Sequence, residues 1–249
     1  MKQWQRYLAE LFGTFVLVFG GTTVIIASSG LGGGGIQFLV PFGFGFSLLA
    51  ALYAFAEVSG GHFNPQVSLG LFLDRRLSFE DLLGYWIFQF AGGILASLLM
   101  LIPFTHTLVK STATVPTGGD GRALFIEIAF TAIFVLVILQ STKSERFHGT
   151  ALVSIPLTLL MIHLAALPFS GASVNTARSF GPALVGDQWT AFWIYVIGPT
   201  AGAIIGWLVY TVVIKGDTDL RDDMQRIRDD VRRPTTPAET PPTPPPAAS

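Results

Sequence analysis

Six long stretches of this chain contain almost no charged side chains. A helix of about 20 apolar residues crosses the hydrocarbon core of a bilayer, and each stretch has the length and composition to do so. The charged residues inside the stretches are Glu10 and Glu127. We therefore predict an all-α membrane protein with six transmembrane helices, over residues 8–28, 38–56, 82–102, 123–139, 150–169 and 190–214.

The basic residues are distributed unevenly among the segments that connect these stretches. Twelve of the 15 lie in the N-terminal segment, in the loops after the second and fourth stretches, or in the C-terminal tail. Cytoplasmic loops carry an excess of Lys and Arg, so these segments should share the cytoplasmic side. The sequence thus predicts an integral protein of the plasma (inner cell) membrane, in contact with the lipid bilayer and with both termini in the cytoplasm.

Composition argues against several other classes of protein. The net charge is −1, so the chain offers no basic surface for nucleic acid, and we expect no nucleic-acid partner. Cysteine is absent, which excludes disulfides, thiolate metal sites and a cysteine nucleophile. We find no Ser/His/Asp spacing, metal-ligand cluster or phosphate-binding loop, and therefore expect no enzymatic activity, no cofactor and no metal.

The C-terminal tail differs in composition from the rest of the chain. Residues 217–249 mix acidic and basic side chains as far as Arg233, and seven prolines follow between Pro234 and Pro246. Such a segment buries too little apolar surface to fold alone, so we expect disorder, with a short helix possible over 217–232. The chain divides into a membrane domain, 1–216, and this tail.

The two halves of the domain, about 1–110 and 111–216, repeat the same pattern. Each has a glutamate in its first stretch, Glu10 or Glu127, and a Ser-Gly turn followed by an asparagine, Asn64 or Asn175. Three spans per half is an odd number, so the second copy should lie upside down in the membrane. Asparagine starts helices, and the segments 64–73 and 175–185 are too short to span, so we predict two re-entrant half-helices.

These motifs resemble the aquaporin family, the major intrinsic proteins. The resemblance covers about residues 5–215 and is most specific in Ala9–Phe15, Ser59–Pro65 and Asn175–Ala183. It implies six transmembrane helices plus two re-entrant half-helices in an inverted repeat, a homotetramer with one pore per subunit, and asparagines that orient passing water. Family members start both half-helices with Asn-Pro-Ala, whereas this chain has Asn64-Pro65-Gln66 and Asn175-Thr176-Ala177.

The resemblance also implies a selectivity filter. An aromatic, a histidine, a small residue and an arginine stand at the matching positions, as in water-selective members: Phe44, His163, Ala172 and Arg178. Glycerol facilitators tend to have a second aromatic in place of the histidine, and other residues at the positions of Ser179 and Ala183. The implied function is a passive channel for single-file water that excludes ions and protons.

Several roles stay open on the sequence alone. Glu10 and Glu127 either accept backbone N–H groups of the re-entrant loops or carry protons in a secondary transporter. His62 either lines a cytoplasmic vestibule or packs within its loop. The Gln66 amide either bonds near Thr176 or projects into the pore. The main alternative function is a broader channel for small neutral solutes such as glycerol, urea, ammonia or peroxide, and a proton-coupled transporter is a further one.

Overall fold

The computed structural model describes residues 1–31, 34–144 and 149–215. In this part of the chain every regular element is helical. The elements are α1 (Gln3–Ser29), α2 (Gly35–Ser59), α3 (Pro65–Leu73), α4 (Phe79–Met100), α5 (His106–Lys110), α6 (Asp120–Lys143), α7 (Ala151–Ser170), α8 (Thr176–Gly186) and α9 (Ile194–Val209), which continues as a π-helical turn, Tyr210–Lys215.

The described chain forms one compact unit over Met1–Tyr210. A second unit, Thr211–Ser249, is described only over residues 211–215. The disorder and the short helix that we expect in the tail therefore lie outside the described residues.

The six predicted spans are confirmed. Six described helices are long and apolar enough to cross a membrane: α1, α2, α4, α6, α7 and α9 with its π-helical turn. Helices α1 and α6 begin three to five residues before the predicted runs, because a helix continues through polar residues where it leaves the hydrocarbon core. The short α5 was not predicted, since its five residues carry no apolar periodicity; the Thr105 hydroxyl caps it.

Two short helices confirm the predicted half-helices. Helix α3 has nine residues and α8 has 11, so at 1.5 Å per residue each covers about half of a ~30 Å hydrocarbon core. Both start at an asparagine cap: the Asn64 side chain accepts from the Gln66 N–H, and that of Asn175 accepts from the Arg178 N–H.

Helix packing follows the inverted repeat. Helix α1 packs against α2 and α4, and its counterpart α6 packs against α7 and α9. Each half-helix also packs against a long helix of the opposite repeat, α8 on α4 and α3 on α9. The two repeats are therefore interlocked, and neither builds the central region without the other.

Glycines allow the closest of these approaches. A Cβ atom on Gly93 of α4 would lie 2.5 Å from the carbonyl oxygen of Ala177, and one on Gly202 of α9 would lie 2.5 Å from that of Ile128. Backbones meet this closely only where a side chain is missing, which is how small residues support helix packing in membranes.

Candidate functional site

The side chains of Asn64 and Asn175 join the starts of the two half-helices. Nδ2 of Asn64 donates to the Val174 carbonyl at 2.8 Å, and Nδ2 of Asn175 donates to the Phe63 carbonyl at 2.9 Å. Each contact thus crosses from one repeat to the other. An amide nitrogen carries two hydrogens, and both asparagines line the central cavity, so each has a second N–H for a molecule there.

Glu10 and Glu127 hold the loops that lead into the half-helices. The Glu10 carboxylate accepts from the Ser59 hydroxyl at 2.6 Å and from the N–H groups of His62 and Phe63 at 3.0 and 2.6 Å. The counterpart Glu127 binds three groups of the second loop in the same way: the Ser170 hydroxyl at 2.7 Å and the N–H groups of Ser173 and Val174, both at 2.8 Å. This is the geometry expected if the two carboxylates accept backbone N–H groups of the re-entrant loops, which we call the scaffold role.

Both loops contain backbone that needs such support. Phe63 and Val174, the residues just before the two asparagines, have φ values of 48° and 44°. A bulky or β-branched residue rarely adopts this left-handed conformation, which costs about 1–3 kcal/mol. The carboxylate bonds to both N–H groups offset this cost.

Tyrosine and serine side chains complete these loops, and the sequence analysis missed them. Tyr85 donates to the Ser59 carbonyl at 2.6 Å, and Tyr195 donates to the Ser170 carbonyl at 2.8 Å. Ser68 and Ser179 stand nine residues after those serines and bond within their own loops. Aligning the two repeats residue by residue would have found the serine pairs, because they occupy equal positions.

Three of the four predicted filter residues meet at one point. The rings of Phe44 and His163 stack with centroids 4.4 Å apart, and Cζ of Arg178 lies 4.5 Å from the Phe44 centroid. They come from α2, α7 and α8, and each is at most 2% exposed. An aromatic ring, an imidazole and a guanidinium therefore form one cluster in the cavity wall.

Two of the predicted filter residues have polar atoms that bond to nothing else in the described chain. Nδ1 of His163 lies 2.9 Å from the Leu159 carbonyl, which can only accept, so Nδ1 carries the proton and Nε2 of the neutral ring is an acceptor. That Nε2 atom and Nε of Arg178 are buried without a partner among the described residues. The two residues thus contribute one acceptor and one donor whose hydrogen-bonding capacity the described chain leaves unmet.

Ala172, the fourth predicted filter residue, does not line the cavity in the described structure. Its backbone has φ of 49°, and its N–H faces the Ser170 hydroxyl oxygen at 3.2 Å. Its side chain is fully buried within the loop.

A cavity of about 620 Å³ connects these groups. Its lining includes His62, Arg76, Thr142 and both asparagines, together with Phe44, His163 and Arg178. Its walls are largely apolar, with a few polar side chains among them. His62 both lines it and packs in its loop, with its ring 4.9 Å from that of Tyr85 and Nδ1 3.0 Å from the Ser68 hydroxyl.

The remaining predicted residues of the two boxes lie behind the cavity wall. Pro65, Gln66, Thr176 and Ala177 are buried but are not among the described cavity-lining residues. Of the two orientations left open for Gln66, the side chain takes the one directed at Thr176.

This chain is similar in sequence and in structure to several known proteins. A sequence model described as "Major intrinsic protein" matches residues 1–210. Aquaporin Z of Brucella melitensis is 37% identical over 222 residues, covering 84% of this chain and 97% of that protein. The glycerol uptake facilitator protein-like 6 of Lactiplantibacillus plantarum is 38% identical over 212 residues, covering 81% and 94%. The crystal structure of the Plasmodium falciparum aquaglyceroporin superposes with a TM-score of 0.79 over 89% of this chain and 99% of that chain, at 21% identity.

Proposed function

We propose that this chain, which belongs to the major intrinsic protein (aquaporin) family, is a passive channel that conducts water in single file and excludes ions and protons. Membership in this family makes it an integral membrane channel protein. Selection of water over other small solutes is the part we propose.

The observation that carries the proposal is the cluster in the cavity wall in which Phe44 contacts both His163 and Arg178. A molecule that passes must move along this cluster, past an aromatic ring and two polar groups. Water is small enough, and it can donate to Nε2 of His163 while accepting from Nε of Arg178. A three-carbon polyol needs a wider opening with an apolar wall for its backbone.

The centre of the cavity supports the exclusion of protons and cations. The N-termini of α3 and α8 meet there, and each helix contributes a partial positive charge of about half an elementary charge. The free amide N–H groups of Asn64 and Asn175 donate to the oxygen of a passing water. A water held this way has both hydrogens pointing outward, so it cannot relay a proton along the file, and the guanidinium of Arg178 adds a barrier to cations.

A broader neutral-solute channel is the second candidate. The 38% identity to a protein named as a glycerol uptake facilitator-like protein favours it. A proton-coupled transporter has less support, because each carboxylate already accepts three or more hydrogen bonds from its own loop and neighbours.

Stopped-flow light scattering of proteoliposomes separates the candidates. Against a sucrose gradient we expect shrinkage well above that of protein-free vesicles, and against a glycerol gradient re-swelling at the rate of protein-free vesicles. Fast glycerol re-swelling would instead identify the broader channel. A proton gradient that accelerates solute flux would identify the transporter, and a pH dye inside the vesicles tests proton exclusion directly.

We further propose a homotetramer in the plasma membrane, with one pore per subunit and both termini cytoplasmic. The family resemblance supports the assembly, and the distribution of basic residues supports the orientation. Light scattering of the detergent-solubilised protein, with the detergent contribution subtracted, measures the number of chains. A monomer that still conducts water would remove the tetramer from the proposal and leave the channel.

A further inference from the structure

Gln66 and Thr176 form two reciprocal hydrogen bonds between the half-helices. Nε2 of Gln66 donates to Oγ1 of Thr176 at 2.9 Å, and the N–H of Thr176 donates to Oε1 of Gln66 at 3.0 Å. The residues are 110 positions apart and are at most 5% exposed. Each occupies a position where this chain departs from the family pattern.

The second of these bonds exists because residue 176 is not proline. Proline at the first position of a helix has no N–H, so it leaves no donor to satisfy. Threonine restores an N–H at that position, here in a buried site. A buried donor without a partner is destabilising, and Oε1 of Gln66 supplies the partner.

The first bond also has a defined direction. The Thr176 hydroxyl donates its hydrogen to the Tyr195 carbonyl at 2.7 Å, so its oxygen is left to accept from Gln66. A glutamine amide offers one donor group and one acceptor on the same planar unit, and both face Thr176. The 3.4 Å contact of Nε2 with the Thr200 hydroxyl is peripheral by comparison.

The paired residues lie immediately beside the pore without lining it. Asn175 directly precedes Thr176, and Asn64 is two positions before Gln66; both asparagines line the cavity, whereas Gln66 and Thr176 do not in the described structure. The pair therefore bears on the permeant only through the asparagines that it adjoins.

We propose that Gln66 and Thr176 are positioning residues that act as one unit, a clamp that fixes the starts of α3 and α8 relative to each other and so aims the amide of Asn175. Either departure alone leaves a buried polar group without its partner. Together they replace the Pro and Ala of the family pattern with a satisfied polar contact. The consequence for flux rests on the proposed water channel, whereas the consequence for stability does not.

A double-mutant cycle tests the clamp on the full-length protein in detergent. Gln66→Ala and Thr176→Pro should each lower the Tm by roughly 3–8 °C, the range expected when a buried donor loses its partner in a chain of this size. The double variant should recover more than half of the combined loss. Additive Tm shifts would overturn the proposal. If a single variant does not fold, a folded double variant supports the clamp by itself.

Three matched variants separate hydrogen bonding from packing. Gln66→Met keeps the volume and removes both bonds, so it should cost as much as Gln66→Ala; a Tm within about 1 °C of the parent would show that Gln66 only fills space. Thr176→Ser keeps the N–H and the hydroxyl and should be close to the parent, whereas Thr176→Val should lose part of the stability. Thr200→Val, at the peripheral contact, is the control and should change little.

Water permeability per chain is the readout that a purely structural contact would not move in folded protein. In vesicles we expect each folded single variant to have a water permeability reduced at least about threefold relative to the parent. Thr176→Ser and the double variant should have near-parental permeability. Parental permeability in folded Gln66→Met would overturn the positioning role. If the parent itself conducts no water but the Tm values are coupled, the proposed function fails and the clamp stands.

Discussion

At the scale of single residues, the proposed selectivity depends on a cluster in which Phe44 contacts both His163 and Arg178. The imidazole of His163 is held by the Leu159 carbonyl on one side and by the Phe44 ring on the other. Its unpartnered Nε2 atom then has a defined direction. Such rigidity matters because a filter discriminates by size only when its walls cannot move aside.

Removing the imidazole should therefore widen the filter. For His163→Ala we expect glycerol permeability to rise about tenfold, equivalent to lowering the barrier by about 1.4 kcal/mol, with water permeability retained. His106→Ala, at an exposed histidine of α5, is the matched control and should leave both permeabilities unchanged. Glycerol flux equal to that of the parent, in a variant with normal Tm, would mean that His163 does not set the width of the pore.

At the scale of elements, the half-helices depend on contacts that come from outside their own sequence. Each loop before a half-helix has left-handed backbone at a non-glycine residue and a carboxylate that accepts its N–H groups. The charge of the carboxylate matters here, because an amide offers one acceptor atom and one donor group in place of two acceptors. The re-entrant geometry is thus a joint property of the loops and of helices α1 and α6.

The variant Glu127→Gln tests this support. The substitution replaces one carboxylate oxygen by an NH2 group, and a donor would then face the N–H or O–H donor that this oxygen had bound. We therefore expect the free energy of unfolding to fall by about 2–3 kcal/mol. Glu57→Gln, at an exposed glutamate of α2, is the matched control and should stay within about 0.5 kcal/mol of the parent. If Glu127→Gln were as stable as this control yet altered a proton-dependent flux, the result would contradict the scaffold role of Glu127 and support the proton-coupled transporter.

Close contact between α4 and α8 provides a second test at this scale. A methyl group in Gly93→Ala would lie 2.5 Å from the Ala177 carbonyl oxygen, so α8 must shift, and we expect a cost of about 1–3 kcal/mol together with reduced water permeability. In Gly121→Ala the new methyl group meets nothing within 4 Å, and better helix propensity should be neutral or stabilising by up to about 1 kcal/mol. Equal Tm values for the two variants would contradict the packing described for α4 and α8.

At the scale of the whole molecule, the inverted repeat makes a channel from two incomplete halves. The helix starts, the asparagine contacts and the Gln66–Thr176 pair all join one repeat to the other. Basic side chains break this symmetry: 12 of 15 lie in segments that should share one side of the membrane. The fold is thus nearly symmetric across the bilayer, and we expect charge to set its orientation.

The absence of cysteine from the chain allows a clean measurement of that orientation. In intact cells, a membrane-impermeant maleimide should label Ser111→Cys, whereas Glu80→Cys should react only after permeabilisation; both parent residues are exposed. The parent protein, which has no thiol, gives the background. The reverse labelling pattern would place both termini outside and contradict the charge argument.

The sequence by itself determined the features that depend on local composition and local hydrogen bonding. Apolar runs long enough for a bilayer predict the six spans, and an asparagine after a Ser-Gly turn predicts each half-helix start, because the cap bonds form within three residues. The matching positions of Glu10 and Glu127, and the resemblance to a known family, indicated which groups belong to the centre.

Only the tertiary structure decided how these groups meet. The stacking of Phe44 on His163, the bonds of Tyr85 and Tyr195 to the loops, and the absence of Ala172 from the described cavity wall all depend on several helices packing together. Gln66 shows the reason most clearly: the sequence left two orientations open for its amide, because a side chain's rotamer depends on its neighbours in space. Its partner Thr176 is 110 residues away, and the interlocking of the two repeats brings them together.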